Sequence, residues 1–198
     1  MAKKPRHHGN LREALVDAGI ALLDQEGLAG LTLRKCAALA GVSHAAPAHH
    51  FGGLDGLIEA IAKRGFDEFS RYMCEDREVA GTDPAARLKG ILYGYLRFAE
   101  DHPALFTLMF GTRVELEVDA ELGESAGKAY RVLSEACAPF VSADDPNPRA
   151  TEFLVWSLCH GYAQLRLFGQ GSPDSPIGDL LFDELLRRLP NLSEALAS

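Results

Sequence analysis

LTLRKCAALAGVSHAAPAHHF, residues 31–51, contains two short helical stretches on either side of Gly41-Val42. In the first, LRKCAALA, apolar residues recur at helical spacing behind Thr32, a good N-cap, and Gly41 stops the run. The second starts at Ser43, another candidate cap, and ends near His50, before Gly52-Gly53. Neither stretch is long enough to be a core helix of its own. A short helix, a tight turn containing Gly and a second short helix form the layout of a helix-turn-helix, whose second member enters the DNA major groove. On the N-terminal side, Asn10 can cap a helix running to about Glu26. Leu11, Leu15, Ala18, Leu22 and Leu23 make its apolar stripe, Gly27 ends it, and it would brace the pair.

Beyond Gly53 the helical period continues. Helices are predicted over about 54–75, 84–100 (Asp83 as cap, Pro84 first), a short ALFTLMF piece, 118–141, 151–168 and 177–189. Loops fall at GTDP (81–84), DDPNP (144–148) and GQGSPDSP (169–176). No run of alternating β-branched residues and no hairpin dipeptide occurs. The expected fold class is therefore all-α, about nine helices, with a three-helix head over 1–53 and a larger helical body over 54–198.

Composition narrows the class. Hydrophobic residues are 47% and charged residues 24% of the 198, which fits neither a disordered chain nor a membrane protein. No apolar run is long enough to span a bilayer, and no apolar segment follows the basic N-terminus as in a signal peptide. Cys36, Cys74, Cys137 and Cys159 form no CxxC and read as reduced, buried thiols of a cytoplasmic protein. Residues 1–50 carry six Lys and Arg against four Asp and Glu, whereas the whole chain is −8. Five of the seven histidines also lie in that segment. A slightly basic head on an acidic body suggests that one end faces a polyanion. GxSxG, P-loop, HExxH and GxGxxG are all missing, so no enzyme and no cofactor is expected. The pairs His7-His8 and His49-His50 point about 100° apart on a helix and make no metal site alone.

LTLRKCAALAGVSHAAPAHHFGGLDGLIEAI, residues 31–61, resembles the DNA-binding head of TetR-family transcriptional regulators. Its apolar positions, Gly41, Val42-Ser43 and the closing His50-Phe51 fall in register, and the similarity covers about residues 10–62. The resemblance implies that 43–50 is the recognition helix. Ser43 would cap it and donate to a phosphate, and the helix N-terminus itself favours a phosphate. Small Ala45, Ala46 and Ala48 would let the backbone approach base edges, where an alanine methyl can touch a thymine methyl. His44, His49 and His50, with Thr32 and Arg34, complete the set expected at the DNA. Two positions depart from the family: Ala48 stands where a Tyr is usual, and Leu54 where a Lys is usual. Losing those backbone contacts should weaken binding by ~1–2 kcal/mol each. An N-terminal arm of Lys3, Lys4 and Arg6 can compensate through phosphate or minor-groove contacts.

In the body, Trp156 with His160-Gly161 is similar to a Trp…His-Gly signature found in a subset of the family. Leu154, Leu158, Gly161 and Leu165 share one stripe of the 151–168 helix. With Leu181, Phe182 and Leu185 they are the expected homodimer interface. Tyr93, Phe98, Phe106, Met109, Phe110, Tyr130, Trp156 and His160 can line a mostly apolar effector chamber. The resemblance thus implies a homodimeric repressor on a palindromic double-stranded operator, controlled by a hydrophobic or aromatic small molecule. Ala48 and Leu54 keep a second reading open: a helical ligand-binding dimer with weakened DNA binding.

Overall fold

The computed structural model describes residues 11–111, 114, 116, 119–169 and 182–187. Among them every regular element is helical. The order is α1 (Leu11–Gly30), α2 (Leu33–Ala40), α3 (Ala46–Phe51), α4 (Leu54–Val79), α5 (Pro84–Asp101), α6 (Pro103–Met109), α7 (Ala120–Cys137), a 3-10 turn (Ala138–Phe140), α8 (Arg149–Gly169) and α9 (Phe182–Leu186). α9 is the described part of the helix predicted over 177–189. The break predicted at Gly27 is present as a left-handed residue, φ 68°, after which one more helical turn reaches Gly30. Asp83 caps α5 as its sequence position suggests, accepting from Ala86 N at 2.8 Å. Asp119 caps the next helix, accepting from Leu122 N at 2.8 Å, so α7 begins at Ala120 rather than 118.

The described residues group into two compact units rather than two contiguous halves. One falls within Met1–Phe66 and Ala104–Ser125, the other within Asp67–Pro103 and Ala126–Ser198. In the first, α1 packs on α2 and α3, and Leu15, Leu23, Leu31, Cys36, Leu57, Ile58 and Ile61 are buried between the helices. α6 adds Leu105, Phe106, Leu108 and Met109 to that interior, and the Phe66 and Phe110 rings meet edge-on at 5.7 Å.

In the second unit α5 lies close on α4. A Cβ at Gly94 would sit 2.5 Å from Tyr72 O and 2.8 Å from Met73 Cα, and one at Gly90 would sit 2.6 Å from Asp76 O. The glycines four residues apart let the two backbones approach. Around them Met73, Leu88, Ile91, Leu92, Tyr95 and Phe98 are almost fully buried. α8 supplies Val155, Cys159 and Ala163, and α9 is fastened by Phe182 on the Tyr162 ring (5.0 Å) and by Lys89 to Asp183 (2.9 Å). Cys36, Cys137 and Cys159 are buried, as predicted, while Cys74 is half-buried. Burial pushes all three buried thiols up, Cys137 to about 12. Among the described residues no helix is long and apolar enough to cross a membrane, and no group of three His, Cys, Asp or Glu is placed to hold a metal.

Candidate nucleic-acid interface

Thr32 caps α2 by accepting from Lys35 N at 3.3 Å. At the other end Gly41 takes a left-handed conformation (φ 70°), its N–H donates to Ala38 O at 3.2 Å, and Val42 N donates to Ala37 O at 3.0 Å. These bonds close the carbonyls at the end of α2 and turn the chain toward α3. α3 then differs from its sequence reading. Ser43 does not cap it: the N-cap is Ala45, with no side-chain bond, and Ser43 contributes only its carbonyl, which accepts from Ala46 N at 3.0 Å. The reason is Pro47. Starting at Ala46 places Pro47 in the first turn, where a missing N–H costs nothing, whereas a start at Ser43 would put it one turn deeper and remove a helical hydrogen bond. Pro47 is buried and pins the helix, which is six residues long.

Arg34, Ser43, His44, Ala45, Ala48, His49 and His50 are all exposed, as is Thr32, while Ala46 is half-buried. The structure therefore brings the described part of the expected set onto α2, α3 and the turn between them. Lys3, Lys4 and Arg6 lie outside the described residues. Charge is sorted around this surface. Residues 41–53 contain no Asp or Glu. Of the four acids of α1, Glu26 pairs with Lys35, and Glu13 and Asp17 pair with Arg64, the latter at 3.2 Å, while exposed Asp24 has no ion pair among the described residues. Arg34 has no ion-pair partner among the described residues. Arg12 stacks over the Phe51 ring at 5.3 Å, tying the start of α1 to the end of α3. The result is an exposed surface of small and imidazole side chains with no Asp or Glu in residues 31–53 and the Arg34 guanidinium beside it.

The body shows a different constellation. The Trp156 indole N–H donates to Tyr95 Oη at 3.3 Å, Tyr95 Oη lies 2.7 Å from His160 Nδ1, and the Gln164 amide reaches His160 Nε2 at 3.4 Å. These distances fit a proton arrangement in which Trp156 donates to Tyr95, Tyr95 to His160 Nδ1, and His160 Nε2–H to the Gln164 amide oxygen after a half-turn of that amide. It requires a neutral imidazole, and burial does lower the His160 pKa. Burial also holds the Tyr95 phenol well above its ordinary range. Tyr95 is the hub, yet its place in the α5 stripe reads as plain core. Its one polar tip among apolar neighbours was the available signal. Tyr72 is a second such residue, with Oη 3.1 Å from both Asp101 Oδ2 and His102 Nε2 and the Arg97 guanidinium 4.3 Å over its ring.

Of the eight residues expected to line a chamber, Phe106, Met109 and Phe110 belong to the first unit and Tyr93, Phe98, Tyr130, Trp156 and His160 to the second. Phe98, Phe106 and Met109 are spent on packing. Trp156 and His160 are half-buried, and Tyr130 donates to Glu152 Oε2 at 2.5 Å while its ring meets Trp156. A cleft of about 310 Å³ in the second unit is lined by none of the eight.

α8 turns a bare apolar face outward. Phe153, Leu154 and Leu165 are 67%, 50% and 54% exposed, and among the described residues nothing lies within 4 Å of where a Gly161 Cβ would be. Leu158 and Leu185 are half-buried. Phe182 is only 4% exposed, held between Tyr93 and Tyr162, so it faces inward within the chain and has no surface to offer a partner. Leu181 lies outside the described residues.

Two family profiles match: bacterial regulatory proteins, tetR family, over residues 15–61, and the tetracyclin repressor-like C-terminal domain over residues 88–189. The HTH-type transcriptional regulator BetI of Paraburkholderia xenovorans LB400 is 35% identical over 81 residues, which are 41% of this chain and 42% of that regulator. The match thus spans less than half the length of that relative. Among solved structures, a protein of unknown function from Rhodococcus sp. RHA1 is 30% identical, with a TM-score of 0.71 over 88% of this chain and 93% of that one. The multidrug binding protein EbrR, complexed with imidazole, shares the fold at 22% identity, with a TM-score of 0.58 over 83% of this chain and 88% of its own.

Proposed function

Because the chain belongs to the tetR family of bacterial regulatory proteins, DNA-binding transcriptional regulators and not enzymes, we propose that it acts as a homodimeric repressor whose grip on a palindromic operator is set by a small hydrophobic or aromatic effector. The observation that carries this reading is the α2–α3 surface, free of carboxylates and held rigid by Pro47 and the Gly41 turn. α3 lies in the major groove, with His44, His49 and His50 donating to bases or phosphates and Ala45 and Ala48 meeting thymine methyls. Ser43, Thr32 and Arg34 meet the backbone, and Lys3, Lys4 and Arg6 add phosphate contacts in place of the family's Tyr and Lys.

The exposed α8 face supports pairing with a second copy, with Gly161 allowing close helix approach. Half-site spacing is then about one duplex turn. The effector sits against Trp156, Tyr130, Tyr93 and His160. It shifts the dimer between states by its differential affinity for them, ~1–3 kcal/mol of coupling. The multidrug binding protein EbrR has the same fold, which fits a small-molecule effector.

The test is binding of the purified protein to DNA fragments from its genomic neighbourhood at two salt concentrations. Sequence-selective binding that weakens steeply with salt is expected. Unselective or absent binding at low salt sinks the DNA reading. It then favours a ligand-binding dimer with weakened DNA affinity, the alternative that Ala48 and Leu54 motivate. Removing residues 2–8 should lower affinity and flatten the salt slope.

A further inference from the structure

The 310 Å³ cleft lies where the end of α4, the start of α5 and the end of α7 come together. Its apolar lining is Val132, Ala136, Pro84 and Pro139, and the two prolines have fixed backbones, so little order is lost on filling it. Its volume is at the lower end of the roughly 300–1,000 Å³ common for small-molecule sites. Two arginines, Arg77 and Arg87, also line it. Arg87 is held by donating to Gly81 O at 3.0 Å. Arg77 Nε and Nη2 are 3.1 and 3.0 Å from Glu78 Oε1, and Arg87 Nη2 is 3.4 Å from the same oxygen. A single carboxylate oxygen already bridges the pair, which shows the group the two arginines accept. It is a displaceable one: the Glu78 side chain is 64% exposed, and surface pairs of this kind are weak. Glu135, on α7, is the one acid among the cleft's lining residues, and Glu78 reaches the two arginines from outside that lining.

We propose that this cleft is a small-molecule site, separate from the effector-binding aromatic residues, for a carboxylic acid carrying an apolar body of about ten carbons. The acid takes the place of the Glu78 carboxylate between Arg77 and Arg87, and the hydrocarbon lies on Val132, Ala136 and the two prolines. The probe is 2-naphthoate, titrated calorimetrically into the full-length protein, with neutral 2-naphthamide beside it. Naphthoate binds, and the amide binds at least about tenfold more weakly for want of charge-assisted bonds. Glu78→Gln tightens naphthoate by about threefold or more, since the internal competitor is gone. Arg77→Ala with Arg87→Ala weakens it by about tenfold or more. The proposal is overturned by no binding at the solubility limit, by equal binding of the amide, or by an affinity that the arginine pair does not move. Should the double alanine variant fail to fold, Glu78→Gln decides, and an unchanged or weaker affinity there overturns it.

Discussion

The Tyr95 hydroxyl both accepts from Trp156 and meets His160, and the arrangement holds only while the imidazole is neutral. Because the fold lowers the His160 pKa, its contribution to stability is complete above the ordinary histidine value of 6.5 and is lost as pH falls below it. Urea unfolding between about pH 7.5 and pH 5 should show that loss, and His160→Gln, which cannot protonate there, should flatten it. Tyr95→Phe should cost about 1–3 kcal/mol by leaving the Trp156 N–H without its partner. At the DNA surface two single changes separate two roles. Arg34→Ala should weaken all DNA sequences alike and lower the salt slope by about one. His49→Ala should leave that slope nearly unchanged and cost about 1–3 kcal/mol on the operator alone. Gel-shift titrations at two salt concentrations read both.

Helix by helix, the 3.6-residue period marks nearly every element in advance, because each helix buries one stripe and breaks at Gly27, Gly41, Asp83-Pro84 or Pro103. The start of α3 is not legible that way. Ser43 is a better cap than Ala45, and only the cost of placing Pro47 deeper in the helix moves the start to Ala46. The candidate site divides likewise. The exposed faces of α2 and α3 follow from spacing within one short segment. The Tyr95–His160 pairing joins residues 65 positions apart and needs the packing of α5 on α8, which local pattern does not encode. The close passage of α5 over α4 is equally silent in sequence, and it reverses the usual glycine rule. Gly94→Ala should destabilise by about 1–3 kcal/mol, since its Cβ meets backbone that cannot swing aside. Gly127→Ala, whose Cβ meets only the tip of Arg131 at 3.4 Å, should stabilise α7 by about 0.5–1 kcal/mol. Thermal melts of the two variants provide the comparison.

For the whole molecule, the bare α8 face makes assembly testable without disturbing the fold. Leu154→Glu with Leu165→Glu should leave the helical signal and melting profile of the subunit nearly intact. On the proposed homodimer it should shift sedimentation to the monomer and weaken operator binding by about tenfold or more, because a lone recognition helix reads too few bases. The buried cysteines have a use of another kind. Cys36 is sealed inside the first unit, and Cys137 and Cys159 inside the second, each with a thiol that gives up its proton reluctantly. A maleimide can reach them only when the surrounding helices part, so alkylation runs as a clock for local opening. Half-buried Cys74 reacts first and marks zero time. Adding operator DNA should slow the Cys36 hand of that clock, and an effector should slow Cys159. One mass-spectrometric time course on the unmodified protein would then record which ligand steadies which unit.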